Sequence, residues 1–136
     1  MRLIPLLTMA LLLAACQGTP VDYPARPVPA DLDSAVRVRE GCRLFASRCA
    51  SCHGHPSEGR SPRAVFFDPP APAFGEPKYH SLDPAYLYWR IEHGKTVEPF
   101  LSRGSVMPAW GPYFTPEQIW NLVACLRHRG SGGAKD

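Results

Sequence analysis

The feature that most constrains this chain of 136 residues is a pair of cysteines, Cys49 and Cys52, with His53 directly after the second. This Cys-x-x-Cys-His spacing is compatible with a zinc site, a thiol–disulfide redox site or covalent attachment of a haem. A zinc site usually needs four nitrogen or sulfur ligands, and the sequence has no second Cys-x-x-Cys pair. Thioredoxin-like redox sites prefer a βαβ setting, and no strand-rich pattern surrounds these cysteines. The spacing therefore favours haem attachment.

In the haem interpretation, two thiols at this spacing add across the vinyl groups of the porphyrin, and the following histidine lies under the iron. The motif thus predicts one covalent haem c, with thioether bonds to Cys49 and Cys52 and with His53 as an axial ligand. The composition agrees, because 16 of the 136 residues are proline, roughly twice the usual ~5%. A proline-rich small chain has difficulty closing a core, and a large apolar cofactor can supply one.

The charge of the chain gives little indication of a nucleic-acid partner. The formal net charge is +3, and Arg2 lies in a segment that we expect to be removed. Nucleic-acid binding requires a basic face or stripe, which a nearly balanced chain does not supply. We therefore expect no nucleic-acid partner.

The first 15 residues have the pattern of an export signal. Arg2 precedes a run of apolar residues that is too short to span a membrane as a mature helix. The end of this run, Leu-Ala-Ala-Cys16, resembles the lipoprotein signal of bacteria, in which the cysteine receives a lipid. We therefore expect a signal peptide at 1–15, lipidation of Cys16 and an anchor on the periplasmic or extracytoplasmic face of a membrane. Ordinary cleavage before an unmodified Cys16 is the alternative.

Residues 16–33 contain four prolines, which oppose helix formation and favour an extended conformation. We interpret this segment as a tether between the lipid and a folded domain at 34–130. An ordered arm that packs on the domain is the alternative. Residues 131–136 are expected to form a flexible tail.

Three helices are predicted in the domain. The first covers roughly 33–47, where Asp33 or Ser34 can cap the start. The second is expected over 84–93, after an N-cap at Asp83, and the third from Pro116 to about Arg129. Thr115 and Gln118 form a capping box for the third helix. Because no segment alternates like a sheet strand, the predicted fold class is all-α with long loops.

Three stretches together carry a family resemblance. "EGCRLFASRCASCHG" resembles the first helix and haem motif of class I cytochromes c, "GSVMPAWG" their distal-ligand loop, and "TPEQIWNLVACLR" their last helix. The resemblance covers residues 34–129. It implies three main helices and long loops around one haem, with a proline carbonyl that accepts a hydrogen bond from His53. We expect Pro70 to supply that carbonyl. Cys125 departs from the family, which usually has an aromatic residue there.

Met107 is the predicted second axial ligand of the iron. It is the only methionine outside the signal, and it precedes Pro108, which disfavours a helix at this position. Met107 could instead only line the pocket. The rival ligands are the remaining histidines, His55, His80, His93 and His128, of which His80 is the strongest because it lies in a predicted loop.

Cys42 and Cys125 remain once the motif and Cys16 are assigned. An exported protein lies in an oxidising compartment, where disulfides form. In the family, the first and last helices cross near Gly41. Cys42 adjoins that glycine and Cys125 lies in the last helix, so a Cys42–Cys125 disulfide is predicted, with two buried thiols as the alternative.

Ligation by histidine and methionine fills both axial positions and raises the reduction potential relative to bis-histidine ligation. We therefore expect a one-electron carrier without enzymatic activity, whose partners are redox proteins acting as donor and acceptor. The alternatives are a haem peroxidase or ligand sensor with a labile methionine, and a fixed cytochrome subunit of a larger respiratory or dehydrogenase complex. Arg60, Arg63 and Lys95 are candidates to pair with the carboxylates of the haem.

Overall fold

The computed structural model describes residues 21–55, 61–63, 67, 70–96, 98, 100–102 and 107–132. Within these residues there are five α-helices and no strand. The helices are α1 Ala35–Arg48, α2 Ala50–His53, α3 Lys78–Ser81, α4 Pro84–His93 and α5 Pro116–Gly130. The predicted all-α class is confirmed, and the three predicted helices correspond to α1, α4 and α5.

The three long helices begin where their capping residues predict. The Ser34 hydroxyl accepts a hydrogen bond from the first turn of α1 at 3.4 Å, and the Asp83 carboxylate accepts one from the first turn of α4 at 2.9 Å. At α5, the Thr115 hydroxyl accepts from the Gln118 amide at 3.2 Å. The Gln118 side chain accepts in return from the Thr115 amide at 2.9 Å. These contacts satisfy backbone donors that a helix start leaves without partners.

The frame of the domain is the crossing of α1 and α5. A Cβ atom on Gly41 would lie 1.7 Å from the backbone oxygen of Asn121, so the two helices can approach this closely only at a glycine. A disulfide joins Cys42 to Cys125 next to this contact, with a Cα–Cα distance of 5.1 Å. Four consecutive residues of α5 beside the crossing are among the most buried of the described chain: Leu122, Val123, Ala124 and Cys125.

Residues 23–32 differ from the free tether that the sequence predicts. The Tyr23 hydroxyl donates to Asp83 at 2.7 Å, and Arg26 forms an ion pair with Glu92. Leu32 is 4% exposed and belongs to the core. The prolines here exclude a helix but do not prevent packing, because an extended segment can still place its large side chains against a neighbouring helix. The ordered domain therefore begins before residue 34, and any free tether ends before Tyr23.

Both ends of the chain extend beyond the described part. The predicted signal peptide 1–15, Cys16 and residues 133–136 of the predicted tail lie outside it. Among the helices of the described ranges, none has both the length and the apolar character needed to cross a membrane.

Candidate functional site

The two cysteines of the motif lie where α1 passes into α2. Cys49 ends α1 through a backbone hydrogen bond from its amide to the carbonyl of Phe45, at 2.8 Å, and it also begins α2. Cys52 follows one helical turn later, so both cysteines lie on the same side of the helix. Both have free thiols. Burial, followed by the nearby Cys52, raises the pKa of the Cys49 thiol to about 12.

Gly54 ends α2 immediately after His53. Its φ angle of +79° lies in a region that favours glycine, and its amide donates to the carbonyl of Ala50 at 2.8 Å. The turn at Gly54 directs the chain away from the axis of α2 directly after His53, the last residue of the motif. The Cys-x-x-Cys-His segment, residues 49–53, is thereby a short helical unit that continues directly from the helix crossing.

The His53 ring is held from the loop that precedes α3. Its Nδ1–H donates to the carbonyl oxygen of Pro72 at 3.0 Å, and the Phe74 ring lies against it with a centroid distance of 4.8 Å. Burial lowers the pKa of His53, more than the Pro72 carbonyl raises it. The imidazole is therefore favoured in its neutral form, with Nε2 free to bind a metal.

The prediction that Pro70 accepts this hydrogen bond is wrong. The acceptor is the carbonyl of Pro72, while Pro70 contributes to the wall of the cavity described below. The loop contains several prolines in close succession, and each restricts its own backbone in the same way. The position that faces His53 depends on the path of the loop around Phe74, which local sequence does not define.

A cavity of about 360 Å³ lies beside the Cys-x-x-Cys-His segment. Cys49, Cys52, His53 and Met107 all line it. Most of the remaining wall is aliphatic or aromatic: Phe45, Phe67, Phe74, Tyr79, Leu82, Tyr86, Leu87, Ile91, Trp110, Leu122 and Leu126. Such a volume is in the ordinary range for a ligand or cofactor site. The apolar wall, the paired thiols, the neutral imidazole and the thioether are the chemical groups that a covalent haem c requires.

Met107 reaches the cavity from a loop that runs along the end of α4. We call residues 107–111 the methionine loop. The Lys95 amide donates to the carbonyl of Met107 at 2.9 Å, and the Gly111 amide donates to the carbonyl of Glu92, also at 2.9 Å. Gly94 has a φ of +63°, and a Cβ atom there would lie 2.4 Å from the backbone of Pro108. The methionine loop thus depends on a glycine at the end of α4.

The four rival histidines do not line this cavity and are exposed. His80 Nδ1 lies 3.4 Å from the carbonyl oxygen of Arg127, and His93 Nδ1 lies 3.3 Å from that of Trp89. His55 interacts through its own carbonyl, which accepts from Arg129 at 3.2 Å. His128 lies near the end of α5. The arrangement therefore favours Met107 over each of them as the partner of His53.

The cationic residues of the site were only partly predicted. Lys95 lines the cavity, and burial, with a smaller effect of the Arg90 charge, lowers its pKa. Arg63 lies at a different surface hollow, and Arg60 is outside the described residues. Arg48 was missed although it lines the cavity, and so was Arg90, which also lines it and is 7% exposed. Its position between Leu87 and Ile91, on the apolar stripe of α4, was the available signal.

Comparisons with known proteins show the family to which the chain belongs. The family model described as cytochrome c oxidase, cbb3-type, subunit III matches residues 36–126. The cbb3-type cytochrome c oxidase subunit FixP of Azorhizobium caulinodans is 29% identical over 104 residues, which are 76% of this chain. The match covers 30% of FixP, so this chain corresponds to less than a third of its relative. Because the family model covers well over half of the sequence, the chain belongs to the cbb3-type subunit III family of cytochrome c domains, and the predicted class of haem c electron-transfer protein is confirmed.

Proposed function

We propose that this protein carries one electron at a time on a single haem c that is bonded to Cys49 and Cys52 and ligated by His53 and Met107. When bound, the haem supplies a ferric–ferrous couple. The observation that carries the assignment is that His53, Met107 and both free cysteines line one largely apolar cavity, while Nδ1 of His53 is held by the Pro72 carbonyl.

The surrounding residues have separate tasks in this proposal. The Pro72 carbonyl holds the His53 ring in one orientation and favours the tautomer that leaves Nε2 unprotonated. The Lys95 amide holds the backbone of Met107. The aromatic and aliphatic wall excludes water, which favours the less charged ferrous state. If His53 and Met107 both bound the iron, no position on it would be left for a substrate, so we assign no enzymatic activity to this chain alone.

The test is an optical and potentiometric titration of holoprotein produced in a host that has haem-maturation machinery. We expect a reversible one-electron transition and, in the oxidised form, the weak long-wavelength band of a methionine-ligated haem. Carbon monoxide should bind slowly or not at all to the reduced form. A missing band together with rapid carbon monoxide binding would contradict the electron-carrier proposal and favour a peroxidase or ligand sensor with a labile methionine. A colourless product with both thiols unmodified would contradict the proposal altogether.

We further propose that the protein is anchored through a lipid on Cys16 to the extracytoplasmic face of a membrane. Support comes from the signal-like residues 1–15 and the small residues that precede Cys16. Replacing Cys16 by Ser should move the holoprotein from the membrane fraction to the soluble periplasmic fraction, while the haem remains attached. Unchanged membrane association of this variant, with no lipid mass on the wild-type Cys16, would contradict the anchor.

The family match also favours a more specific role as the fixed cytochrome subunit of a membrane oxidase complex. The relative FixP is named a subunit of a cbb3-type cytochrome c oxidase, but this chain spans only 30% of it. We therefore propose redox proteins of the membrane as partners and leave the choice between subunit and shuttle to experiment. Co-purification with an integral membrane complex in mild detergent supports the subunit role, and recovery as a lone monomer supports the shuttle.

A further inference from the structure

Arg90 is a buried cation in the wall of the cavity. It lies on α4, and 7% of its surface is exposed. One nitrogen, Nη1, donates to the carbonyl of Gly94 at 2.9 Å. The other two nitrogens, Nε and Nη2, are buried and have no hydrogen-bond partner among the described residues. A guanidinium group that is buried with two unsatisfied nitrogens is costly unless a negative group pairs with it.

The surroundings of Arg90 do not supply that negative group. Aromatic rings lie against the guanidinium, with centroids 4.2 Å away for Phe100, 4.6 Å for Trp89 and 5.5 Å for Tyr86. Such rings attract a cation but cannot accept two hydrogen bonds in its plane. None of the ion pairs among the described residues includes Arg90. Lys95 and Arg48 line the same cavity and add further positive charge.

The two unsatisfied nitrogens have a definite geometry. Nε–H and one N–H of Nη2 point in parallel from the same edge of the guanidinium plane, and a carboxylate accepts this pair in a bidentate manner. Nη1, which is bonded to Gly94, lies on the opposite edge. The contact already present in the structure therefore leaves the carboxylate-binding edge intact, on a residue that lines the cavity.

We propose that the free edge of Arg90 binds a propionate carboxylate of the haem, while Nη1 keeps its hydrogen bond to Gly94. This rests on the proposed function, because it takes the haem as the occupant of the cavity. Lys95 contributes a second positive charge to the same carboxylate group or its neighbour. Arg90 is in this way both a cofactor-binding residue and a positioning residue for the methionine loop.

The positioning role follows from the chain of contacts beyond Gly94. The Gly94 carbonyl is held by Arg90, and the next amide in the chain, that of Lys95, donates to the Met107 carbonyl at 2.9 Å. The backbone at Gly94 also packs directly against Pro108 and Met107. The Arg90 guanidinium thus connects the haem carboxylate to the turn that supports Met107, whose sulfur is the proposed ligand of the iron.

The experiment compares the reduction potentials of the wild-type holoprotein and its variants. Arg90→Gln should shift the ferrous/ferric ratio at a fixed potential toward ferric by roughly three- to tenfold, which is about 30–60 mV for a one-electron couple. A buried positive charge near the haem favours the less positive iron, and its removal reverses that preference. Arg90→Lys, which keeps the charge but loses the bidentate edge, should shift the ratio less. Arg43→Gln is the matched control, because it removes the same charge from a side chain that is 79% exposed.

The outcomes separate this inference from the proposed function. A reversible wild-type couple with covalent haem supports the function by itself. If Arg90→Gln and Arg43→Gln then give the same small shift, the propionate contact is wrong while the carrier role stands. The long-wavelength band of the oxidised form must persist in Arg90→Lys; if Arg90→Lys loses the band and shifts the potential as far as Arg90→Gln, Arg90 only braces the methionine loop, and the proposed carboxylate contact is overturned.

Discussion

The Cys-x-x-Cys-His segment and the methionine loop face the same cavity but are held in different ways. The former is helical, continues directly from α1 and lies next to the crossing that Gly41 and the Cys42–Cys125 disulfide define. The methionine loop is held by a few backbone hydrogen bonds to the end of α4 and by close packing at Gly94. The Cys-x-x-Cys-His segment thus shares the stability of the whole domain, whereas the methionine loop can open locally. Variants should therefore separate global unfolding from loss of one ligand.

The largest effect is expected at the cysteines themselves. Replacing both Cys49 and Cys52 by Ser should abolish covalent haem completely, because no thiol remains to form either thioether bond. Haem-dependent peroxidase staining of a denaturing gel measures this. Ser51→Ala, an exposed position between the two cysteines, should retain full staining. Stained product from the double serine variant would contradict the assignment of the attachment site.

The next largest effect is expected at the helix crossing. Gly41→Ala places a Cβ within 1.7 Å of a backbone oxygen, which no rotamer change can relieve, so we expect a loss of about 3 kcal/mol or more in the free energy of unfolding. Thermal or denaturant unfolding measures it. Gly75→Ala is the control, because a Cβ there would meet nothing within 4 Å. Equal stability of the two variants would show that the crossing is not the frame of the domain.

Removal of the disulfide should act on the same frame but more weakly. The bridge closes a loop with a sequence separation of 83 residues. Replacing Cys42 and Cys125 together by Ala should lower the free energy of unfolding by about 2–4 kcal/mol. The methionine-dependent band should be unaffected at temperatures where the domain stays folded. Recovery of Cys42 and Cys125 as alkylatable thiols in unreduced wild-type protein would contradict the bridge in solution.

A substitution at the methionine loop should affect ligation by Met107 more than the stability of the whole domain. Gly94→Ala adds a Cβ at a φ of +63° and only 2.4 Å from Pro108, so the loop must move away. We expect the long-wavelength band to disappear and carbon monoxide binding to accelerate, at a cost of about 1–2 kcal/mol in stability. Gly132→Ala is the matched control, with a φ of +82° and nothing within 4 Å of the added atom. A band that survives in Gly94→Ala would show that the loop is not fixed at this glycine.

The same contrast explains which features the sequence could predict. The caps at Asp83 and Thr115 act over a few residues, so local rules locate α4 and α5 correctly along the chain. The Cys-x-x-Cys-His motif is equally local, and the attachment site at Cys49 and Cys52 stays a prediction. The Pro72 carbonyl, the buried Arg90 and the packed segment 23–32 depend on contacts between distant parts of the chain. A proline excludes a helix at its own position. It does not indicate which carbonyl accepts the hydrogen bond from His53 or which side chains of residues 23–32 pack on the domain.

The smallest effect is expected where residues 23–32 pack on α4, the helix whose end supports the methionine loop. Arg26 pairs with Glu92 and lies 4.3 Å from the centroid of the Tyr88 ring. Because the pair is partly solvated, Arg26→Gln should cost about 0.5–1 kcal/mol in the free energy of unfolding. Arg39→Gln, at a side chain that is 67% exposed, should cost less. If denaturant titration instead gives equal values for the two variants, residues 23–32 do not stabilise α4 through the Arg26–Glu92 pair.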